Sequence, residues 1–221
     1  MYKIIHSDVY SGIFHLDNCS IDLAITSPPY WGQRDYGFDG QIGNEKTYIE
    51  YISKLVKIFS ILKEKMSEKG VFFLNMGDKY LSKYGKSPLG LIPYKLAFFM
   101  IENGWFLNDI LIWYKPNHMP SSVKNRFTNS YEPIFVLSKN KNNYFTEFSN
   151  NNSNYSNILK INLQPSKYKH VAVYPETLVS KLIDMVMLNE NNTVLDIFAG
   201  SGTTLKVVKD YNESILYNKK L

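Results

Sequence analysis

Residues 27–31, Ser-Pro-Pro-Tyr-Trp, directly follow the apolar run 21–26. Proline fixes its φ angle, donates no backbone hydrogen bond and holds the residue before it extended, so we expect a stiff step whose carbonyls point outward unpaired. The Ser27 hydroxyl and the Pro28 carbonyl can then accept hydrogen bonds from one amino group, while Tyr30 offers a ring face to a planar base. A base flipped out of a helix requires both features. The alternative is a strand ended by proline, with aromatic residues at the surface.

A second candidate site is the stretch 196–204, which also follows a short apolar run. Gly200 and Gly202 permit a tight turn and a close approach of the backbone to a ligand, and the helix after them would offer unpaired N–H groups. Asp196 provides a carboxylate for an ammonium or hydroxyl group. The stretch matches neither the P-loop nor the three-glycine dinucleotide fingerprint, so on its own it is equally consistent with a structural turn.

The elements that must position these residues alternate between strand and helix. Helical spacing of apolar residues predicts helices over 47–69, 91–104, 175–188 and 203–211. Short apolar runs predict strands over 2–6, 21–26, 71–75, 105–115, 133–138 and 193–198, and residues 139–157 are predicted to form a loop. This order predicts an α/β fold with a doubly wound, mostly parallel sheet. Because ligands bind beyond the carboxyl ends of parallel strands, Ser27 and Asp196 are expected to face one crevice.

The composition indicates a globular chain with a sizeable core. It has 221 residues, 44% of them hydrophobic, and a single cysteine. One cysteine provides no disulfide framework, and the four histidines lack metal-ligand spacing, so no metal is expected. No run approaches the roughly 18 apolar residues of a membrane span, and the first residues lack a signal-peptide core. A cytoplasmic protein without membrane contact is therefore expected.

The net charge of +5 is concentrated in one part of the chain. Between residues 115 and 169 there are eight Lys and Arg residues against two Glu, and aromatic residues are interleaved with them. Cations that neutralise phosphate and rings that stack on bases are typical of a nucleic-acid surface, although a solvated loop region explains the charge equally well. The candidate DNA-docking residues are Lys124, Arg126 and Lys139.

Several stretches together resemble the β group of the amino-methylating DNA methyltransferases. TSPPYWGQRDYG resembles their motif IV in its cytosine-N4 form, and DIFAGSGTT resembles motif I, the S-adenosylmethionine loop. The order, with motif IV before motif I, is that of the β group. The stretches IIHSD, GVFFLNMGD, GWFLNDILIWYKPNHMP and HVAVYPETL resemble further segments, so the similarity covers nearly the whole chain.

The resemblance implies an S-adenosylmethionine-dependent enzyme that flips a base and methylates its exocyclic amine. Cytosine N4 is favoured over adenine N6 because Ser27 heads the Pro-Pro stretch. Double-stranded DNA is the implied partner, a cognate restriction endonuclease is a further one, and the enzyme would be a monomer or a homodimer. The implied catalytic residues are Ser27, Pro28, Pro29 and Tyr30. The implied cofactor-binding residues are Asp8, Asp196, Phe198, Gly200, Ser201, Gly202, Thr203 and Asn218.

The implied organisation is one methyltransferase core with an inserted basic segment. Residues 1–116 would carry the catalytic step, 117–169 would recognise the target and dock the DNA, and 170–221 would bind the cofactor. The carboxyl end departs from the family, because Asn218 stands at the predicted end of a final strand where an acidic residue normally binds the ribose. This departure leaves open a truncated chain or a catalytically impaired DNA-binding relic. An amine methylase acting on RNA or protein is a further alternative.

Overall fold

A computed structural model describes residues 2–81, 88–120, 122, 126–151, 155–164, 174–186, 189 and 191–218 of the chain. In chain order the elements are α1 (Val9–Phe14), β1 (Ile21–Thr26), α2 (Tyr48–Lys65), β2 (Met66–Asn75), α3 (Ile92–Glu102), β3 (Phe106–Tyr114), β4 (Tyr131–Ser138), α4 (Tyr144–Asn151), β5 (Ile158–Lys160), α5 (Glu176–Asp184), β6 (Val194–Leu195) and α6 (Thr203–Asn218).

The six strands form one sheet in the order β5-β3-β4-β2-β1-β6. β1 is parallel to β2 and β6, β3 is parallel to β5, and β4 runs antiparallel between β2 and β3. All strands except β4 therefore share one direction, which confirms the predicted mostly parallel α/β sheet. Because β1, β2 and β6 point the same way, the segments that follow them leave the sheet at the same edge.

Each face of the sheet buries its own apolar layer. α1, α2 and α3 cover one face, where Phe59 of α2 packs against Phe72 of β2 with ring centres 5.1 Å apart. α4, α5 and α6 cover the other face, where Phe145 of α4 packs against Phe73. Neighbouring residues of β2 thus point to opposite faces, as the strand pleat requires. Among the described helices, none combines the length and the apolar character that crossing a membrane would demand.

β1 and α2 frame the first candidate site, and both elements follow from local sequence. β1 is apolar from Leu23 to Ile25, where it is buried, as is typical of a strand covered on both faces of the sheet. α2 begins with a capping box, in which the Thr47 hydroxyl accepts the Glu50 N–H and the Glu50 carboxylate accepts the Thr47 N–H. The loop between them therefore has two fixed ends.

The predicted strand at residues 2–6 is wrong. This segment has no regular structure, and Ile4 is 80% exposed. The Asp8 side chain caps α1 and accepts the Ser11 N–H at 3.1 Å. An apolar run forms a strand only beside a pairing partner, and in the described part of the chain β6 is the last strand at that end of the sheet.

The predicted final strand near Asn218 is also wrong, because α6 continues from Thr203 through Asn218. Val207, Val208 and Tyr211 pack against the sheet at helical spacing, and the same helix continues where the strand was predicted. Asn218 therefore does not end a strand beside the glycines. Its proposed contact with the ribose depended on that strand and loses its support.

Residues 139–157, predicted as a loop, contain α4. Asn143 precedes this helix and its side-chain oxygen accepts the Thr146 N–H at 3.0 Å, so one of the asparagines that suggested a loop is a helix cap. Phe145 and Phe148 are buried in the core. These two rings of the basic segment are therefore unavailable for stacking on nucleic acid.

Candidate active site

The two candidate stretches meet at the carboxyl ends of β1 and β6. The Thr26 hydroxyl, at the end of β1, donates to Asp196 Oδ1 at 2.6 Å, across 170 positions of sequence. The parallel register that sets Ala24 beside Leu195 brings them together. Both stretches therefore lie at the same edge of the sheet, and a crevice shared by them stays a prediction. Below, the Pro-Pro step denotes Ser27 to Tyr30, and the glycine loop denotes Asp196 to Thr204.

Asp196 is the acceptor at the centre of this junction. Its Oδ1 accepts the Thr26 hydroxyl and, at 3.1 Å, the Phe198 N–H. Its Oδ2 accepts the hydroxyls of Tyr174 at 2.6 Å and Thr204 at 2.7 Å. A carboxylate accepts about four hydrogen bonds, so its acceptor sites are in use. The carboxylate thus fixes the start of the glycine loop, and a ligand ammonium would have to displace one of these donors.

The sequence interpretation missed Tyr174 and Thr204 as partners of Asp196. Both lie in stretches that carry the family resemblance, and a hydroxyl residue in each stretch was the available signal. Burial, together with the neighbouring Asp196 carboxylate, holds the pKa of the Tyr174 hydroxyl well above its usual range. Tyr174 therefore stays protonated and remains a donor.

The glycine loop has the predicted backbone. Gly200 and Gly202 have φ angles of +52° and +81°, in the left-handed region that glycine adopts readily. The Gly202 N–H donates to the Ala199 carbonyl at 2.8 Å and closes the turn into α6. α6 begins at Thr203, so its first N–H groups lie beside the Asp196 junction without partners inside the helix.

The Pro-Pro step leaves the sheet directly after Thr26. The Tyr51 hydroxyl of α2 donates to the Pro29 carbonyl at 2.8 Å, so the expectation of unpaired carbonyls is wrong for Pro29. Within the described residues the Pro28 carbonyl has no hydrogen-bond partner. The Ser27 hydroxyl donates to the Tyr30 hydroxyl at 3.1 Å. The two acceptors predicted for an amino group therefore lie on adjacent residues, the half-buried Ser27 and the buried Pro28.

A charged pair that the sequence interpretation counted only as net charge anchors Tyr30. The Tyr30 hydroxyl donates to Glu132 Oε2 at 2.9 Å, and the Lys115 ammonium pairs with Glu132 Oε1. The side chains of Lys115 and Glu132 are only 12% and 15% exposed. Burial, together with the Glu132 carboxylate, holds the pKa of Tyr30 well above its usual range. Tyr30 therefore remains a neutral donor.

Gly77, just beyond β2, makes room for this arrangement. A Cβ added at Gly77 would lie 2.8 Å from Cε2 of Tyr30 and 3.2 Å from Glu132 Oε1. Neither neighbour can move freely, because each holds the other through the hydrogen bond between them. Gly77 is therefore a further residue of the site, and only its place in the stretch GVFFLNMGD could have indicated it.

A groove of about 440 Å³ opens beside the Pro-Pro step. It is lined by the loop after Tyr30, by residues 78–80 and by residues 126–129. The Arg126 guanidinium lies over the Tyr80 ring, 4.0 Å from its centre, and Phe127 is 94% exposed. An exposed ring and a cation in one groove suit an unpaired nucleotide. The predicted docking residue Arg126 is therefore at the edge of the sheet that carries the site.

Lys139 lies at the opposite edge of the sheet. It follows Ser138, the last residue of β4. Ser138 pairs with Val71 of β2, whereas Ile134 pairs with the end of β2 nearer the site. Because β4 is antiparallel, Lys139 is separated from the site edge by about 17 Å of strand. It faces Glu68 at 3.7 Å. Lys139 therefore lies apart from Arg126, and its contact with DNA stays a prediction. Lys124 lies outside the described residues.

Comparison with known proteins identifies the family. A family model described as DNA methylase, of the N6 and N4 type, matches residues 21–220. The chain belongs to this family of S-adenosylmethionine-dependent DNA methylases, as the resemblance of its motifs implied.

Three similar proteins illustrate the match. The chain is 54% identical over 219 residues to the type II methyltransferase M.MwoI of Methanothermobacter wolfeii, covering 99% of this chain and 32% of that protein. It thus spans about a third of that relative. PvuII DNA methyltransferase (cytosine-N4-specific) aligns with a TM-score of 0.76 at 24% identity, over 92% of this chain and 76% of that one. TTHA0409 of Thermus thermophilus, complexed with S-adenosyl-L-methionine, aligns with a TM-score of 0.67 at 19% identity, over 93% and 82%.

The glycine loop fits the cofactor of this family. Gly200 and Ser201 are exposed, and a Cβ added at Gly202 would meet nothing within 4 Å, so the turn is open to a ligand. The N–H groups that begin α6 favour a carboxylate, such as that of an amino acid. Hydrogen bonds from the Ser11 hydroxyl and then the Ser11 N–H lower the pKa of Asp8, and a contact of Asp8 with the adenine stays a prediction.

Proposed function

We propose that this chain carries the catalytic centre of a DNA methyltransferase that modifies the exocyclic amine of a flipped base, with cytosine N4 as the acceptor. One observation carries the proposal. The hydrogen bond from Thr26 to Asp196 joins the Pro-Pro step to the glycine loop. The first would accept the amine, and the second would hold the methyl donor of the family.

The Pro-Pro step would activate the amine. The lone pair of an aromatic amine is delocalised into the ring, so the nitrogen is a weak nucleophile. Hydrogen bonds from its two N–H groups to the Ser27 hydroxyl oxygen and the Pro28 carbonyl favour the electron-rich, more pyramidal nitrogen of the transition state. Because both acceptors are held by the sheet, the amine is aligned before it reacts. No covalent bond to the protein is needed.

The glycine loop would hold S-adenosylmethionine, which supplies an electrophilic sulfonium methyl group. Gly200, Ser201, Gly202 and Thr203 are the residues assigned to its amino acid end, and Phe198 lies near the start of the loop. Asp196 would keep this backbone in place relative to β1 through its bonds to Thr26 and Phe198.

Tyr30 would be the surface on which the base stacks. Its hydroxyl is held by Glu132, and one side of its ring lies against Gly77, so the ring has a fixed plane. Stacking on such a ring is worth roughly 1–3 kcal/mol per base. This term would offset part of the cost of extracting the base from the helix.

Double-stranded DNA is the proposed partner, and the groove beside the Pro-Pro step is its proposed docking surface. Within 117–169 we assign docking to the residues before β4, because β4 and β5 are strands of the sheet and α4 covers one face. Arg126 would contact phosphate and Phe127 would stack on a base. The type II relatives suggest that the whole protein works beside a restriction endonuclease.

The choice of cytosine N4 rests on Ser27 at the head of the Pro-Pro step. The fold likeness to a protein described as cytosine-N4-specific is consistent with that choice. The family model covers adenine N6 as well, so the identity of the product is the decisive measurement.

The test is incubation of the full chain with labelled S-adenosylmethionine and unmethylated bacterial DNA, followed by nucleoside analysis. We expect N4-methylcytosine. Label found only in N6-methyladenine would overturn the choice of base, and no transfer to DNA would overturn the proposed function. Ser27→Ala should abolish transfer, whereas Ser60→Ala, whose hydroxyl bonds only to the Val56 carbonyl within α2, should keep it.

A further inference from the structure

A directed chain of hydrogen bonds lies behind the Pro-Pro step. The Ser27 hydroxyl donates to the Tyr30 hydroxyl at 3.1 Å, and the Tyr30 hydroxyl donates to Glu132 Oε2 at 2.9 Å. The other carboxylate oxygen of Glu132 takes the Lys115 ammonium. The chain thus runs from a largely buried cation to the residue proposed to meet the substrate.

The direction of every bond follows from its charged end. Ammonium only donates and carboxylate only accepts, so Tyr30 must give its proton to Glu132. The Tyr30 proton is used in this bond, so the Tyr30 oxygen can only accept the hydroxyl of Ser27. The single hydroxyl proton of Ser27 is therefore committed to Tyr30, and the outward side of Ser27 Oγ presents lone pairs alone.

The sheet register builds this arrangement. Glu132 of β4 sits opposite Trp113 of β3, and Lys115 follows β3 by one residue, with its N–H bonded to the Ser130 carbonyl at 2.8 Å. The Lys115 ammonium also lies 4.4 Å from the centre of the Trp113 ring. The register therefore brings Lys115 and Glu132 together beside Tyr30.

We propose that Glu132 is a positioning residue that sets the direction of this chain, so that Ser27 acts only as a hydrogen-bond acceptor. A base that presents an amino group would then satisfy Ser27, whereas a base that presents a carbonyl at the same position would meet a second acceptor. The inference rests on the proposed function and deepens it, because it gives the reason why Ser27 would select a base amino group over a base carbonyl.

A double-mutant cycle on the full chain tests this inference. Tyr30→Phe keeps the ring but removes the link, and Glu132→Gln replaces a pure acceptor by an amide that can also donate. We expect each single variant to lower kcat for DNA methylation about 10- to 100-fold, as expected for loss of a hydrogen bond to a charged group, with KM for DNA within about twofold. The double variant should be no worse than the worse single variant, since Glu132 acts through Tyr30.

Additive losses in the cycle, or an unchanged kcat in either single variant, would overturn the inference. Glu147→Gln is the matched control, because Glu147 also pairs with a lysine, Lys69, but at the opposite edge of the sheet. It should keep the kcat of the unmodified chain.

Thermal melting checks that the variants fold. If Glu132→Gln unfolds because Lys115 is left unpaired, the kcat of Tyr30→Phe alone tests the inference, since that variant leaves the Lys115–Glu132 pair intact. Failure of the two proposals is distinguishable. An unmodified chain that methylates no DNA overturns the proposed function and this inference with it, whereas an active chain with additive losses overturns the inference alone.

Discussion

The Pro-Pro step and the glycine loop each depend on a carboxylate, but the two carboxylates are held differently. Glu132 is paired with the Lys115 cation and accepts the Tyr30 hydroxyl, which in turn accepts the Ser27 hydroxyl. Asp196 has no Lys or Arg ion pair within the described residues and is satisfied by three hydroxyls and one backbone N–H. One carboxylate sets the polarity of a surface, and the other fixes the shape of a loop.

This difference separates the expected consequences of mutation. Changes around the Pro-Pro step should alter turnover and leave cofactor affinity intact. Changes around Asp196 should alter cofactor affinity and stability, because several donors lose their acceptor together. Tyr30→Ala and Asp196→Asn should therefore each affect one half of the site and leave the other unchanged.

Of the changes that distinguish the two halves of the site, Tyr30→Ala should have the largest effect. It removes both the stacking ring, worth roughly 1–3 kcal/mol, and the link between Ser27 and Glu132, so kcat should fall by roughly 100-fold or more. The affinity for S-adenosylmethionine, measured by calorimetry, should change less than about twofold. Tyr155→Ala, which removes an exposed ring near β5, is the control. Unchanged turnover would remove Tyr30 from the base pocket.

Asp196→Asn should weaken cofactor binding at the glycine loop and lower the stability of the fold. The amide replaces one acceptor oxygen by a donor, and each donor that it leaves unpaired costs about 1–3 kcal/mol. We expect a lower melting temperature and S-adenosylmethionine affinity reduced roughly tenfold, with DNA affinity preserved. Asp17→Asn, at an exposed position, should match the unmodified chain. Equal cofactor affinity in the two variants would separate Asp196 from the cofactor site.

Arg126→Gln should change DNA binding alone. Removing one bond between a cation and a phosphate flattens the dependence of log K on log salt by about 0.9, so we expect up to that change in slope. Lys139→Gln is the matched control from the same basic segment, because Lys139 lies at the opposite edge of the sheet. Identical slopes for the two variants would place the DNA elsewhere on the surface.

The smallest effect is expected in alkaline solution, and both halves contribute to it. The pKa values of Tyr30 and Tyr174 are raised well above the usual value by burial and by their carboxylate partners. Above about pH 10 the unfolded chain loses these protons while the folded chain keeps them, so stability is unaffected below that pH and declines above it. Melting temperatures from about pH 8 to 11 should show the decline, and Tyr174→Phe should make it shallower. An equally steep decline in Tyr174→Phe would contradict the raised pKa.

The parts of the site that lie on consecutive residues could be predicted from the sequence. The Pro-Pro step and the glycine loop have restricted backbones that proline and glycine dictate, and the alternation of strands and helices indicated that they meet. Their meeting through Thr26 and Asp196 confirms this reasoning.

The partners brought in by sheet register could not be predicted in the same way. Glu132 lies 102 positions from Tyr30, and the sequence around either residue does not indicate which position of β4 faces Tyr30. The errors at residues 2–6 and at Asn218 have a related origin. An apolar run alone does not distinguish a paired strand from an unpaired segment or from one more turn of a helix.

The short pairing of β6 with β1 affects how readily the start of the glycine loop can open. β6 contributes two residues of pairing to β1, whereas β1 and β2 pair over most of their length. Opening of the sheet at β6 breaks few hydrogen bonds, so the start of the glycine loop should exchange its amide hydrogens faster than the central strands. A ligand bound there would stabilise the closed form by mass action, so slower exchange at Leu195 and Phe198 would report cofactor binding directly.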